Sequence, residues 1–218
     1  TICPHHEQTS SMAMDAYSRV TENIGVGFFT TGPGSTNALT GLCGAWQDSV
    51  PCLFISGQVK TKETTNFAKI PGLRQFGVQE LDIIPIVKPL CKYAITLNDP
   101  NQVRYEFEKA VHIAKSGRPG PVWIQIPMDV QSTKIDKTSL EGFTVDETIP
   151  VASNEQVKQI VELLKNAKRP VIISGQGIRI SGCMKLLEEF TSKFKIPVVT
   201  SFLGIDTIKH DLFQYVGK

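Results

Sequence analysis

The sequence has little of what several protein classes require. No apolar run approaches the roughly 20 residues that a membrane-spanning helix needs, and no charged and apolar leader is visible at the first residues. The 23 Lys and Arg are scattered among 21 Asp and Glu, for a formal net charge of +2. Without a basic run, nothing predicts binding to nucleic acid or to an anionic membrane. We therefore expect a small-molecule ligand.

The cysteine pattern excludes two further classes. The five cysteines form an odd set without any C-x-x-C pair, and they are Cys3, Cys43, Cys52, Cys91 and Cys183. This pattern fits neither a disulfide framework nor a zinc site, so we expect a reducing, cytoplasmic location. His5, His6 and Glu7 are adjacent and point away from one another on a helix or a strand. No metal site is predicted in this chain.

Hydrophobic patterning predicts an α/β protein. Short β-rich runs at residues 25–31, 52–56 and 122–126 alternate with helix-period stretches, which is typical of a parallel sheet flanked by helices. Residues 57–79 lack a regular pattern. Long irregular segments within compact domains are usually functional, so we expect this loop to face a ligand.

The chain length of 218 residues predicts one domain and part of another. We expect a first domain over residues 1–130, a polar linker over 131–152 and a second unit over 153–218. The second unit has helix and strand patterns, with strands expected at 170–174 and 196–200. These are too few to complete a typical domain, so we expect a truncated, Rossmann-like unit.

Seven short motifs follow one another in a fixed order. They are His6-Glu7-Gln8, Thr31-Gly32-Pro33-Gly34-Ser35-Thr36-Asn37, Asp48-Ser49-Val50-Pro51, Ser56-Gly57-Gln58-Val59, Val78-Gln79-Glu80-Leu81-Asp82, Ser116-Gly117-Arg118-Pro119-Gly120-Pro121-Val122 and Ile126-Pro127-Met128-Asp129-Val130. Their order resembles the acetolactate-synthase family of thiamine-diphosphate (ThDP) enzymes, most densely over residues 3–131. The resemblance implies the pyrimidine-binding domain of the ThDP fold, followed by the start of the central domain.

The resemblance implies that Glu7 is the catalytic glutamate, which hydrogen-bonds the N1′ nitrogen of the cofactor's aminopyrimidine and so activates the cofactor. An apolar cofactor site disfavours the charged form of such a carboxyl and raises its proton affinity. Position alone leaves an alternative open. A surface glutamate near a helix N-terminus is also favoured by the helix dipole.

Other cofactor-binding residues are implied by the same resemblance. Gly32, Pro33, Gly34 and Asn37 match the residues that shape the pyrimidine pocket, although a turn and a helix cap would use the same residue types. Gln79 matches a glutamine near the cofactor and the substrate, or it is an ordinary exposed amide.

A flavin site is a separate question. Ser49, Lys92 and Arg118 match positions that line the FAD site in those family members that carry flavin. Many relatives bind no flavin, and a structural role is the preferred interpretation for all three residues.

Two departures from the family pattern concern the substrate. Val78 stands where acetolactate synthases usually carry Phe, and Met128 stands where they carry Lys; both positions lie near the acceptor. Replacing an ammonium group by a thioether removes a donor for an anionic substrate. The acceptor is therefore expected to be another 2-oxo acid or a sugar-derived carbonyl as readily as pyruvate.

The functional hypothesis is a fragment of a ThDP-dependent 2-oxo acid decarboxylase or carboligase, working as a homodimer or tetramer. In the family, a third domain with a Gly-Asp-Gly motif binds Mg²⁺ and the diphosphate, and no Gly-Asp-Gly occurs in this chain. We expect these 218 residues alone to be inactive. The alternative from another class is a non-catalytic α/β binding module.

Overall fold

The computed structural model describes residues 1–145 and 150–217. Contacts between Cα atoms divide the chain into two compact units, with the first ending at Val145. Among the described residues, no helix is both long enough and apolar enough to cross a membrane.

The first unit is built on a four-stranded parallel sheet in the order β1-β2-β4-β3. Its strands are β1 (Gly25–Phe29), β2 (Cys52–Gln58), β3 (Tyr93–Thr96) and β4 (Val122–Pro127). The two central strands, β2 and β4, are buried along almost their whole length. Runs of apolar residues covered on both faces are typical of a parallel sheet between layers of helices.

Helices and short turns connect these strands. The helices are α1 (Glu7–Thr21), α2 (Pro33–Asn37), α3 (Leu39–Gln47), α4 (Thr65–Ala68), α5 (Ile84–Val87), α6 (Val103–Lys115) and α7 (Met128–Gln131). Single 3-10 turns lie at Thr61–Glu63, Lys88–Leu90 and Pro100–Gln102. The predicted irregular segment, 57–79, thus contains the end of β2, one 3-10 turn and the four-residue α4.

A stack of three aromatic rings fills the core between the sheet and α3. Phe54 lies between Phe29 and Trp123 along the sheet, with ring centroids 5.7 Å and 5.1 Å away. The buried indole of Trp123 donates from Nε1 to Ser56 Oγ at 2.9 Å, so its one polar group is satisfied.

Helix α1 packs closely because small residues line its inner face. Its buried residues are Ser11, Met14 and Ser18. A Cβ placed on Gly41 of α3 would lie 2.3 Å from Ser11 Oγ, so only glycine permits this approach of the two helices. The N-terminus of α1, which carries Glu7, is therefore fixed on the first unit.

Two strands differ from the sequence prediction. β1 ends at Phe29 instead of residue 31, and its burial alternates, leaving Val26 and Phe28 exposed. The apolar run at residues 25–31 is typical of a buried strand, and that expectation was wrong because β1 lies at the edge of the described sheet. β3 was missing from the predicted elements, since four half-buried residues give only a weak pattern.

The second unit has its own three-stranded parallel sheet, in the order β5-β6-β7. Its elements are α8 (Asn154–Asn166), β5 (Ile172–Ser174), α9 (Gly177–Ile180), α10 (Met184–Phe194), a 3-10 turn (Phe202–Gly204), β6 (Val198–Thr200) and β7 (Tyr215–Gly217). Its buried core is small and consists of Leu187, Val198 and Ile208.

Helix α8 begins with a capping box between Ser153 and Gln156. The apolar residues of its predicted face, such as Val157, Ile160 and Val161, are nevertheless exposed. A helix is thus present where the apolar periodicity predicts one. Its apolar face, which the pattern predicts to pack against a core, is exposed among the described residues. The expected fold class, α/β with a parallel sheet flanked by helices, is confirmed.

Candidate functional site

Glu7 and Asn37, which lie far apart in the sequence, meet at the ends of two helices. Glu7 is the first residue of α1 and Asn37 is the last residue of α2. The Asn37 amide donates from Nδ2 to Glu7 Oε2 at 2.8 Å. His6 Nε2 lies 3.4 Å from the same amide nitrogen. The carboxylate is therefore oriented by a defined donor.

Gly34 lies directly beside this carboxylate. A Cβ on Gly34 would be 2.5 Å from Thr30 Cγ2 and 3.4 Å from Glu7 Oε1, so a side chain would fill the space next to the acid. Glu7, Pro33, Gly34, Thr36 and Asn37 line an open depression of about 400 Å³. The structure thus brings together four of the residues that the resemblance selects.

Gly32 and Gln79 meet on the other side of the same turn. Gly32 has a φ of +62°, and a Cβ there would lie 2.3 Å from the backbone oxygen of Gln79. Gln79 also has a left-handed backbone, with φ of 59°, and it is an exposed residue. Gln79 therefore contacts the turn through its backbone.

The charge state of Glu7 differs from the expectation of an apolar enclosure. The pKa of Glu7 is lowered from its ordinary value, mainly by the hydrogen bond from Asn37 and then by its own backbone N–H. Burial opposes this shift only weakly, because the residue is half-exposed. In this chain Glu7 is a charged acceptor at neutral pH, and the described residues do not enclose it.

The three residues matched to a flavin site meet at the turn of residues 116–120. Arg118 belongs to this turn, and Ser49 and Lys92 form hydrogen bonds with it. Arg118 donates from Nε to Ser49 Oγ at 2.7 Å. The Lys92 ammonium group donates to the carbonyl oxygens of Ile113 and Ser116, at the C-terminal end of α6. All three side chains thus have hydrogen-bond partners within the protein. A lysine ammonium group commonly binds the last carbonyl oxygens of a helix, so a structural role explains the position of Lys92.

A larger cavity of about 910 Å³ lies at the carboxyl ends of β1, β2 and β4. Val78 and Met128, the two departures from the family pattern, both line it. Among its described lining residues there is no Lys or Arg, and Glu63 is the only charged residue. Ligands of open parallel sheets bind at the carboxyl ends of the strands.

Sequence reasoning missed a buried polar network beside the site. Gln58 and Gln125, on the two central strands, donate to the carbonyl oxygen of Leu81 at 2.7 and 3.2 Å. Glu80 and Asp129 accept hydrogen bonds from backbone and side chains of the irregular loop. The sequence did hold a signal for this network, namely one glutamine in each of two apolar strands. A buried side-chain amide requires hydrogen-bond partners, so these glutamines indicate polar groups nearby.

No group of three or more His, Cys, Asp or Glu that could hold a metal ion occurs among residues 1–145 and 150–217. The resemblance assigns Mg²⁺ to a different domain, so the sequence predicts no metal ligands in this chain.

Comparison with known proteins identifies two family matches. Residues 1–86 match the family described as thiamine pyrophosphate enzyme, N-terminal TPP binding domain. Residues 157–218 match the family described as thiamine pyrophosphate enzyme, central domain. The first match contains Glu7, the turn at residues 32–37 and Gln79.

Curated relatives are about one third identical to this chain over the aligned region. The acetolactate synthase large subunit of Lactococcus lactis is 35% identical over 216 residues, which cover 97% of this chain and 36% of that protein. The probable acetolactate synthase large subunit of Methanocaldococcus jannaschii is 35% identical over 93% of this chain and 34% of its own length. The mitochondrial acetolactate synthase of Schizosaccharomyces pombe is 34% identical over 95% and 31%. The chain thus spans about a third of the length of these relatives.

Proposed function

This chain belongs to the thiamine pyrophosphate enzymes, and we propose that it forms the pyrimidine-binding side of a ThDP site in an enzyme that decarboxylates and ligates 2-oxo acids. The observation that carries the proposal is the Glu7 carboxylate, held by Asn37 beside the bare Cα of Gly34. The relatives named acetolactate synthase supply the reaction class.

The residues present fit the aminopyrimidine ring of the cofactor. A flat ring needs a surface without a Cβ, and Gly34 supplies one next to a carboxylate. We assign Glu7 to the ring nitrogen and the turn of Gly32, Pro33, Gly34 and Asn37 to the face of the ring. Gln79 is assigned to the neighbourhood of the substrate.

The roles of these residues follow from their chemistry. When bound, ThDP supplies the carbon nucleophile that attacks a 2-oxo acid. Glu7 holds and releases a proton at the ring nitrogen, and Asn37 keeps its carboxylate pointed there. Enclosure by a second protein surface would raise the pKa of Glu7 from its lowered value in this chain, toward the range in which a carboxyl exchanges protons at neutral pH.

We assign the acceptor substrate to the 910 Å³ cavity, lined by Val78 and Met128. Its described lining residues include no cation and one carboxylate, Glu63. Such a wall gives a second 2-oxo acid no charged partner. The relatives named acetolactate synthase favour a 2-oxo acid as the acceptor, and an uncharged, sugar-derived carbonyl is the alternative that this wall allows.

The remaining parts of the proposal concern the assembled enzyme. Mg²⁺ and the diphosphate are assigned to a domain with a Gly-Asp-Gly motif, and the active assembly to a homodimer or tetramer. FAD is an open possibility for the assembled enzyme, and the hydrogen bonds of Ser49, Lys92 and Arg118 support a structural role for these three residues. A reducing, cytoplasmic location is consistent with five free cysteines. Two of them, Cys52 and Cys91, are buried, and burial raises the pKa of each thiol to about 12, so both stay protonated at neutral pH.

Replacement of Glu7 tests the proposal. Glu7→Gln in the full-length protein should lower kcat by roughly 10²- to 10⁴-fold, the range of general acid–base catalysis, while circular dichroism shows that the variant is still folded. The matched control is Glu22→Gln, an exposed glutamate at the other end of α1. Full activity in both variants would favour the non-catalytic binding module instead.

A further inference from the structure

Glu80 is a buried carboxylate that the proposed chemistry does not use. Its residue is 8% exposed, in a segment otherwise close to the surface. Oε1 accepts from the backbone N–H and the hydroxyl of Thr65, both at 2.8 Å. Oε2 accepts from the backbone N–H of Phe76 at 2.9 Å. One side chain therefore joins the start of α4 to the far end of the irregular loop.

The neighbours of Glu80 are fixed on both sides. On one side, the Glu80 N–H donates to the Gly77 carbonyl at 3.2 Å. On the other side, the Leu81 carbonyl oxygen accepts from the side-chain amides of Gln58 and Gln125. Gln58 in turn accepts from the Thr31 hydroxyl at 2.9 Å, one residue before Gly32.

Gln79 is the residue between these fixed points. Its φ of 59° is unfavourable for a residue with a side chain, so the surroundings must hold it there. Its carbonyl oxygen lies against the Cα of Gly32, where even one added carbon atom would be 2.3 Å away. The position of Gln79 and the shape of the turn beside Glu7 are thus coupled by direct contact.

We propose that Glu80 is a positioning residue that holds Gln79 in its left-handed conformation against Gly32, and so sets the distance between Gln79 and the Glu7 depression. The three hydrogen bonds to Thr65 and Phe76 carry this role. Its consequence for catalysis rests on the proposed function, in which Gln79 lies near the substrate. The structural part of the proposal, that Glu80 fixes the conformation of Gln79, does not depend on the proposed function.

The structural part is tested on the 218-residue chain by amide NMR and hydrogen exchange, with Glu80→Gln. The amide of glutamine replaces one acceptor oxygen by a donor, which then faces an N–H or hydroxyl donor of the loop. Exchange at the Thr65 amide or the Phe76 amide, whichever the new NH₂ group faces, should rise about tenfold or more, as expected for the loss of one hydrogen bond in a local opening. The amide shifts of Gln79 and Gly32 should move with them.

The matched control is Asp82→Asn. Asp82 accepts a hydrogen bond at 3.0 Å from the Asn66 side chain of the same loop, at an exposed position. This variant should leave the Gln79 and Gly32 amides unchanged. Thr65→Val, which removes only the hydroxyl donor, should give a smaller change of the same kind if Glu80→Gln fails to fold. Unmoved Gln79 and Gly32 amides in the folded Glu80 or Thr65 variant would overturn the proposal.

The catalytic consequence is tested by a double-mutant cycle in the full-length protein. If Glu80 acts through Gln79, Glu80→Gln should lower kcat/KM in the parent and should have little further effect in the Gln79→Ala background. An undiminished loss in that background, or no loss from Glu80→Gln at all, would contradict a positioning role. Failure of Glu7→Gln to affect activity would instead count against the proposed function, and the NMR result would still decide the role of Glu80.

Discussion

The hydrogen bond from Asn37 is the main reason that the pKa of Glu7 lies below its ordinary value. Asn37→Ala removes this donor, so the pKa of Glu7 should rise toward the value of an ordinary glutamate. A carboxyl-detected NMR titration of the two proteins measures the change. Glu108 is the internal control, because its pKa is lowered mainly by Arg104 and should not respond.

The same pKa shift makes a prediction about stability against pH. A depressed folded-state pKa stabilises the fold above the unfolded pKa, which is about 4.3 for glutamate, and the contribution is lost as the pH falls through the folded value. The difference in unfolding free energy between the parent and Asn37→Ala should therefore be present near pH 7 and shrink in acid. A difference that grows as the pH falls would contradict the assignment.

The turn beside Glu7 requires glycine at position 32 for two reasons, which can be separated. Gly32→Ala adds a Cβ in a left-handed conformation and within 2.3 Å of a backbone oxygen. Gly72 has a φ of +77° with nothing within 4 Å of such a Cβ. Gly72→Ala should cost about 1–2 kcal/mol from conformation alone. Gly32→Ala should cost clearly more in urea unfolding, and equal losses would show that Gln79 does not press on this turn.

Ser18 shows how a helix is attached to the sheet by one buried hydroxyl. It donates to the Pro51 carbonyl at 2.8 Å and accepts from the Gly25 N–H at 2.7 Å, thereby joining α1 to the starts of β1 and β2. Ser18→Ala leaves two backbone groups unpaired, so the unfolding free energy should fall by about 1–3 kcal/mol.

The matched control for Ser18 is Ser10→Ala on the same helix. The Ser10 hydroxyl makes only a 3.4 Å contact with the His6 carbonyl near the helix surface. Its replacement should change the unfolding free energy, measured by urea denaturation, by less than about 0.5 kcal/mol. Equal effects at both positions would mean that the Ser18 bridge adds nothing to helix docking.

Strands and helices could be predicted where burial is continuous or strongly periodic. β2 and β4 are central and apolar, and α6 has a clear amphipathic pattern, so the sequence shows all three. β1 could be located but its exposed alternate residues could not, because edge position depends on strand order. β3 could not be identified, because its four residues are all half-buried.

The candidate site was predictable for a different reason. Glu7, the glycine turn and Asn37 belong to motifs in a recognisable order, and the structure places them at adjoining helix ends. Glu80 also belongs to one of these motifs, but the motif does not show that its carboxylate is buried. Its role depends on Thr65 and Phe76 returning to it through an irregular loop, which local patterns do not encode.

The openness of the candidate site limits what the chain can do alone. The depression beside Glu7 is lined by five described residues of the first unit and is open. The hydrogen bond from Asn37 lowers the pKa of Glu7, and the half-exposed position opposes this only weakly, which suits a charged acceptor better than a group that exchanges a proton at neutral pH. Under the proposed function, a second protein surface would exclude water and raise this pKa.

We therefore predict that the purified 218-residue chain, supplied with ThDP and Mg²⁺, releases no measurable CO₂ from pyruvate or other 2-oxo acids. The full-length protein under the same conditions is the positive control. The chain should still be folded, with the Glu7–Asn37 contact visible in the NMR titration. Turnover by the chain alone that disappears in Glu7→Gln would contradict the prediction, because it would mean that one open face of this site is enough for the reaction.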